Sequence, residues 1–371
     1  MALAVAARGT EVAVERLDVA AYEIPTERTE SDGTLEWDST TMVVVEAQAG
    51  DATGLGYTYG DVAVSALVES KLAGVVEGRD AMDVPAAWEA MVESIRNLGR
   101  PGICSMAIAA VDIALWDLKA RILDVPLVTL LGAAHEEVPI YGSGGFTSYS
   151  QEELREQLGG WVDRGIRRVK MKVGREPEQD PARVAIARDA IGPVAELFVD
   201  ANGAYSRKQA LELAERFAEQ RVTWFEEPVS SDDLDGLRLI RDRAPAGMAI
   251  TAGEYGYDLP YFERMLEVGA VDVLQADVTR CAGITELLRV DALCRARSLP
   301  LSGHTAPALH VHPLCAVQQL EHLEYFHDHA RIESMLLDGV PAPDGGVLRP
   351  DLDRPGHGLE LKHADAERYA A

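Results

Sequence analysis

RRVKMKVG, residues 167–174, sets an apolar row of Val169, Met171 and Val173 in alternation with Lys170 and Lys172. Alternation with a period of two marks a strand, and residues two apart on a strand share a face. The apolar row is that of a buried strand, so two ammonium groups stand side by side in a protein interior. There they repel each other and lose hydration, which costs stability. Their presence points to chemistry rather than to folding.

Outward from this strand, β-rich runs recur at VPIYGS (138–143), ELFVDANG (196–203), VTWFEEP (222–228), MAITAGE (248–254), VDVLQAD (271–277), LPLSGH (299–304) and HLEYF (322–326), making eight in all. Segments with helical periodicity separate them, and several open on cap residues such as Asp180 before Pro181 and Ser206 before Arg207. Strands alternating with helices make parallel βα units, and eight such units predict an α/β fold, a (β/α)8 TIM-type barrel over residues 129–340. The segment after the eighth run, HDHARIESMLLDG, is short and irregular, so a truncated (β/α)7β form is also expected.

Residues 1–128 follow another rule: three β-rich runs and then helices, an α+β capping domain. Its polar segment 26–39, TERTESDGTLEWDS, is long for a hairpin loop and is expected to act as a lid. Residues 341–371 have turn residues and no helical period, and are expected to return to the capping domain.

The chain has 371 residues, of which 47% are hydrophobic and 26% charged, enough apolar mass for one or two cores. Its net charge of -26 repels polyanions and anionic membranes, which excludes nucleic acid and membrane surfaces as expected partners. Four cysteines without paired spacing suggest neither a disulfide framework nor a zinc cluster. The N-terminal run MALAVAARGTEV lacks a preceding basic region and is broken by Arg8, so it does not read as a leader; a cytoplasmic location is expected.

Active sites of such barrels lie at the C-terminal ends of the strands. Here those ends carry Lys170 and Lys172, Asp200 and Asn202, Glu226 and Glu227, Glu254, Asp277, His304 and Glu324. One acid before a helix is commonly a cap, but seven consecutive ionisable strand ends are a site. Asp200, Glu226 and Glu254 are 26 and 28 residues apart, one βα unit each, so three carboxylates converge. Hard oxygen ligands of this kind suit Mg2+.

The motifs KMK (170–172), VDANGAY (199–205), WFEEP (224–228), TAGE (251–254), QAD (275–277), SGH (302–304) and HLEYF (322–326) resemble, in type, order and spacing, those of the enolase superfamily and its mandelate racemase subgroup. The resemblance implies one Mg2+ per subunit on Asp200, Glu226 and Glu254, with Lys172 as one acid/base and His304 paired with Asp277 as the other. It further implies that Glu324 hydrogen-bonds a substrate carboxylate and that the chain is a homo-oligomer. Lys170 is expected to contact that carboxylate and, with the metal, to depress the Lys172 pKa so that it serves as a base. Asp277 stands where the muconate-lactonising branch has a lysine, which argues against that branch, and Arg280 is no substitute because a guanidinium does not deprotonate.

The resulting expectation is abstraction of the proton α to a carboxylate to give an enediolate, with dehydration of an acid sugar, an aldonate or aldarate, to a 2-keto-3-deoxy acid favoured over racemisation or epimerisation of a 2-hydroxy acid. A metal-dependent hydrolase and a silent binding barrel stand as remote alternatives. Asn202, Tyr141, Ser143 and the lid residues Arg28 and Trp37 are the expected substrate contacts, Arg28 as a clamp for a distal carboxylate. His310 and His312, two apart on an expected helix, diverge and are read as structural. His327 and His329 are given a structural or interface role, and Cys281 and Cys315 are read as small buried residues.

Overall fold

The structure, a computed structural model, describes residues 12–371; residues 1–11, on which the reading against a leader mostly rests, lie outside the described residues. Strands β1 (Arg16–Ser31), β2 (Glu36–Ala49) and β3 (Ala52–Tyr59) form an antiparallel sheet in that order. Segment 26–39 is therefore no open loop. Both strands run through it, with a register shift between Pro25 and Glu30, and the turn itself is confined to residues 32–35.

Helix α1 (Ala63–Leu67) continues through a π-helical turn (Val68–Leu72) into α2 (Ala73–Val76), followed by α3 (Val84–Ser94), α4 (Ile103–Ile122) and α5 (Leu127–Leu131). α4 is buried on almost all sides because it is wedged between the sheet and the barrel. Its run of alanines lets β3 approach closely. A Cβ on Gly56 would stand 2.2 Å from the Ala110 carbonyl oxygen, and one on Gly54 2.2 Å from that of Ala114. Because backbone cannot rotate away, Gly56→Ala is expected to destabilise the fold by about 3 kcal/mol, the upper end of overpacking costs. Urea denaturation measures it.

The barrel strands are β4 (Val138–Gly144), β5 (Arg168–Lys172), β6 (Glu196–Asp200), β7 (Val222–Glu226), β8 (Ala249–Ala252), β9 (Val273–Ala276), β10 (Leu301–Gly303) and β11 (Leu320–Phe326). Neighbours pair in parallel, and β11 pairs with β4 to close the ring, Glu324 opposite Tyr141. The helices between and after them are α6 (Gln151–Asp163), α7 (Asp180–Ile191), α8 (Arg207–Ala218), α9 (Leu234–Arg241), α10 (Leu259–Val268), α11 (Ile284–Ala296), α12 (Pro307–Ala316) and α13 (His327–Leu336). The irregular segment thus forms a ten-residue helix, and the expected truncation of the last unit is corrected.

Ser150 and Ser206 open α6 and α8 with reciprocal capping boxes. Asp180 is not the cap of α7; it sits in the first turn, where its carboxylate accepts the Gly174 N–H and the Tyr205 hydroxyl and pins the loop that leaves β5.

The C-terminal segment bridges both parts. β12 (Leu337–Asp338) pairs with β14 (Glu360–Leu361), β13 (Val347–Leu348) pairs with β4, and a short helix, α14 (His363–Ala366), runs on through a 3-10 turn (Glu367–Tyr369) to a bridge from Ala370 to Tyr22 of the cap. His357 donates its backbone N–H to Asp117 of α4 and bonds the Leu55 carbonyl through Nε2. Inside the barrel, Tyr141, Phe198, Trp224 and Val273 form an apolar plug, with Phe198 and Trp224 stacked at 5.2 Å. The site stands on this floor.

Candidate active site

Successive strands of the barrel bring their ends to one mouth, and the predicted carboxylates meet there. Oxygen atoms of Asp200, Glu226 and Glu254 lie within 4.8 Å of one another, and all three residues are buried. Of the adjacent pair Glu226 and Glu227, only the first belongs to this triad. Three buried carboxylates at that spacing need a cation, and their hard oxygens make the set capable of chelating a divalent metal. Trp224 steadies one ligand by donating Nε1–H to Glu226 Oε2 at 2.8 Å.

The two lysines part company by depth. Two residues along a strand advance the chain about 6.7 Å. Lys170 is fully buried, its Nζ 2.6 Å from Glu226, 2.8 Å from Glu324 and 3.4 Å from Asp200. Lys172, one step higher, lines the cavity and meets Asp200 at 2.5 Å. The Lys170 ammonium, expected to contact the substrate carboxylate, is held by carboxylates that include two of the predicted metal ligands. The Lys172 pKa is set by the same group of charges. Burial pulls it down, but Asp200, with help from Glu324 and Glu254, outweighs burial and Lys170 together, and the net direction is up.

Across the mouth, His304 Nδ1 bonds Asp277 Oδ2 at 2.8 Å, and its Nε2 lies 2.8 Å from Glu254 and 3.5 Å from Glu324. Burial opposes charge on this ring, yet Glu254, Glu324 and Asp277 raise its pKa to about 9. Asp277 is itself held by the Thr279 N–H and hydroxyl, both 2.7 Å from Oδ1. Burial pushes Glu226 up to about 8, with Asp200 adding to the effect and Lys170 opposing it. Glu324 goes the other way despite burial, to about 2, because Lys170 and His304 face it. Lys170 is thus the counter-ion of the site's floor. Lys170→Met, which leaves those carboxylates unpaired, is expected to cost about 3–5 kcal/mol in metal-free chemical denaturation.

A cavity of about 290 Å³ opens above, near the small end of ligand sites. Lys172, Asn202, Glu254, Arg280, His304 and Glu324 line it from the barrel, and Asp32, Trp37, Thr40 and Tyr59 from the cap. Asn202 and Trp37, two of the expected substrate contacts, line this cavity. Tyr141 and Ser143 do not: both are fully buried, Tyr141 with its ring 5.3 Å from Lys170 Nζ, and neither lines the cavity. Nor does Arg28, which pairs with Glu153 of α6 in a separate outer groove that His327 also lines.

His310 and His312 serve the backbone, accepting the N–H groups of Val278 and Val128, in line with their structural reading. His329 lines the cavity while stacking on Tyr59 at 3.5 Å and accepting the Ala306 N–H. Arg280, set aside as a base, also lines it, balanced by Glu254 and Asp277 at 3.6 Å each. Asp32, Thr40 and Tyr59 carried no catalytic signature in the sequence.

No described helix is long and apolar enough to cross a membrane. Comparison with known proteins agrees with the geometry. Residues 153–366 match the model of the enolase C-terminal domain-like family, and residues 9–132 that of the mandelate racemase/muconate lactonizing enzyme N-terminal domain. A mandelate racemase/muconate lactonizing enzyme-like protein from Rubrobacter xylanophilus is 62% identical, covers 97% of this chain and 100% of its own, and superposes with a TM-score of 0.95. The 3,6-anhydro-alpha-L-galactonate cycloisomerase of Streptomyces coelicolor is 34% identical over 96% of this chain and 98% of that protein. The L-talarate/galactarate dehydratase of Salmonella typhimurium LT2, solved with Mg and L-lyxarohydroxamate, is 25% identical over 100% of this chain and 96% of that one, with a TM-score of 0.91. With both parts of the chain matched and its acidic triad assembled, this protein belongs to the mandelate racemase/muconate lactonizing enzyme group of the enolase superfamily.

Proposed function

We propose that the chain is a Mg2+-dependent lyase that removes the α-proton of an acid sugar and expels the oxygen on the β-carbon. The observation that carries this reading is that Lys172 and His304, the latter bonded to Asp277, line one cavity together with Glu254 of the acidic triad. Asp200, Glu226 and Glu254 would hold the cation, which would supply Lewis acidity to the substrate carboxylate.

Lys172, on β5, and His304, after β10, come from distant strands of the ring, so they approach the α-carbon from two sides. One takes the α-proton, and His304 gives a proton to the departing β-oxygen. Asp277 holds the His304 Nδ1–H and so keeps Nε2 directed into the cavity. Glu324, protonated when the substrate carboxylate lies beside it, donates its O–H to a carboxylate oxygen, and Asn202 and Trp37 hold the chain of hydroxyls. The product enol takes a proton at the β-carbon and becomes a 2-keto-3-deoxy acid.

A dehydration and a cycloisomerisation of this kind share the elimination and differ in the leaving oxygen, a hydroxyl in the first and a ring oxygen in the second. The 34% identity to a cycloisomerase supports including ring ethers among the substrates. Four unpaired cysteines support a reducing, cytoplasmic location, and a homo-oligomer completes the proposal, to be read by sedimentation. The function is tested by incubating the Mg2+-loaded protein with aldonates, aldarates and anhydro-aldonates and trapping 2-keto products with semicarbazide. A 2-keto-3-deoxy acid supports the reading, whereas an epimerised substrate without loss of oxygen replaces it with racemisation.

A further inference from the structure

The two halves of the cavity differ in charge. Its barrel half holds acids and bases that are already matched: Lys172 to Asp200, and Arg280 to Glu254 and Asp277, stacked also on Tyr255. The cap half presents Leu35, Trp37, Thr40 and Tyr59 with one charge, that of Asp32, and among the described residues no cap cation lines it. Asp32 is fixed in place. Its Oδ1 accepts the backbone N–H groups of Thr34 at 2.6 Å and Leu35 at 2.7 Å, and the residue is 8% exposed. Arg28, on the same hairpin, is turned away to Glu153. His329 adds no positive charge, since burial pushes its pKa down to about 3.

Resting on the enediolate reading above, we infer that the substrate carries one carboxylate only: an aldonate, or an anhydro- or deoxy-aldonate, rather than an aldarate. The reacting carboxylate belongs with the triad, so the far end of a six-carbon acid reaches the cap half. A second carboxylate there would face Asp32 across a narrow cleft without a counter-ion, and like charges in such a place repel strongly. An uncharged end fits. Hydroxyls donate to Asp32 and Thr40, while a methyl group or ring ether lies against Leu35 and Trp37.

The test is calorimetric binding of two matched hydroxamates to the Mg2+-loaded protein, one ending in CH2OH and the other in a carboxylate, alike at every stereocentre. The aldonate form is expected to bind at least about 100-fold more tightly. Asp32→Asn is expected to narrow that gap by about tenfold or more. Equal or tighter binding of the dianion, or a gap unchanged in Asp32→Asn, overturns the inference while leaving the enediolate reading intact. Binding of neither hydroxamate removes the enediolate reading and this inference with it.

Discussion

Lys172→Ala lowers kcat by about 1000-fold with little change in KM, and Lys172→Arg is no better. Alanine removes both the base and its positive charge; arginine restores the charge but does not deprotonate near neutral pH. A Lys172 that acted only as a counter-ion to Asp200 would be rescued by arginine. The measurement is steady-state trapping of 2-keto product by both variants, with circular dichroism to establish that each is folded. Lys170 provides the contrast: its loss shows first in stability, because it is fully buried and clasped by Glu226 and Glu324.

Glu254→Gln weakens Mg2+ binding by more than about 100-fold, since even partners outside the ligand set account for 10- to 100-fold. Its carboxylate is one of three converging oxygen donors, and an amide carries no charge to offset the cation. The same change removes the anion 2.8 Å from His304 Nε2, so the imidazole loses its largest source of raised pKa. Calorimetric titration with Mg2+ reads the first effect. Thermal unfolding gives an independent view: at 100 times its dissociation constant the cation stabilises the wild type by about 2.7 kcal/mol, and the variant loses this gain at the same concentration.

Much of this site was legible because a barrel converts sequence order into position. One carboxylate per βα unit, at Asp200, Glu226 and Glu254, marks strand ends that closure must bring together. The spacing from Asp277 to His304 works in the same way. Depth was not legible. A period of two tells which face a side chain takes and says nothing of its height along the barrel axis, so it does not reveal that Lys172 lines the cavity while Lys170 and Tyr141 are fully buried.

The cap was less legible still. Its contribution depends on where a hairpin lands, a tertiary fact that no local period encodes. Segment 26–39 resembled a loose lid because its polar residues hide the strand pattern, yet Glu30 pairs with Trp37 across the hairpin. That pairing places Trp37 and Asp32 on the cavity and Arg28 outside it. His329 illustrates the same limit, because only the contact of α13 with β3 reveals that one histidine both stacks on Tyr59 and faces the cavity.

The central claim, loss of the α-proton to solvent coupled to loss of the β-oxygen, is tested most directly by turnover of an aldonate or anhydro-aldonate substrate in D2O with Mg2+, followed by NMR. The account predicts a 2-keto-3-deoxy acid in which the C2 hydrogen has gone to solvent and one deuteron has entered at C3. A product that retains the original C2 hydrogen, or a substrate left unchanged by protein with Mg2+ bound, would contradict it.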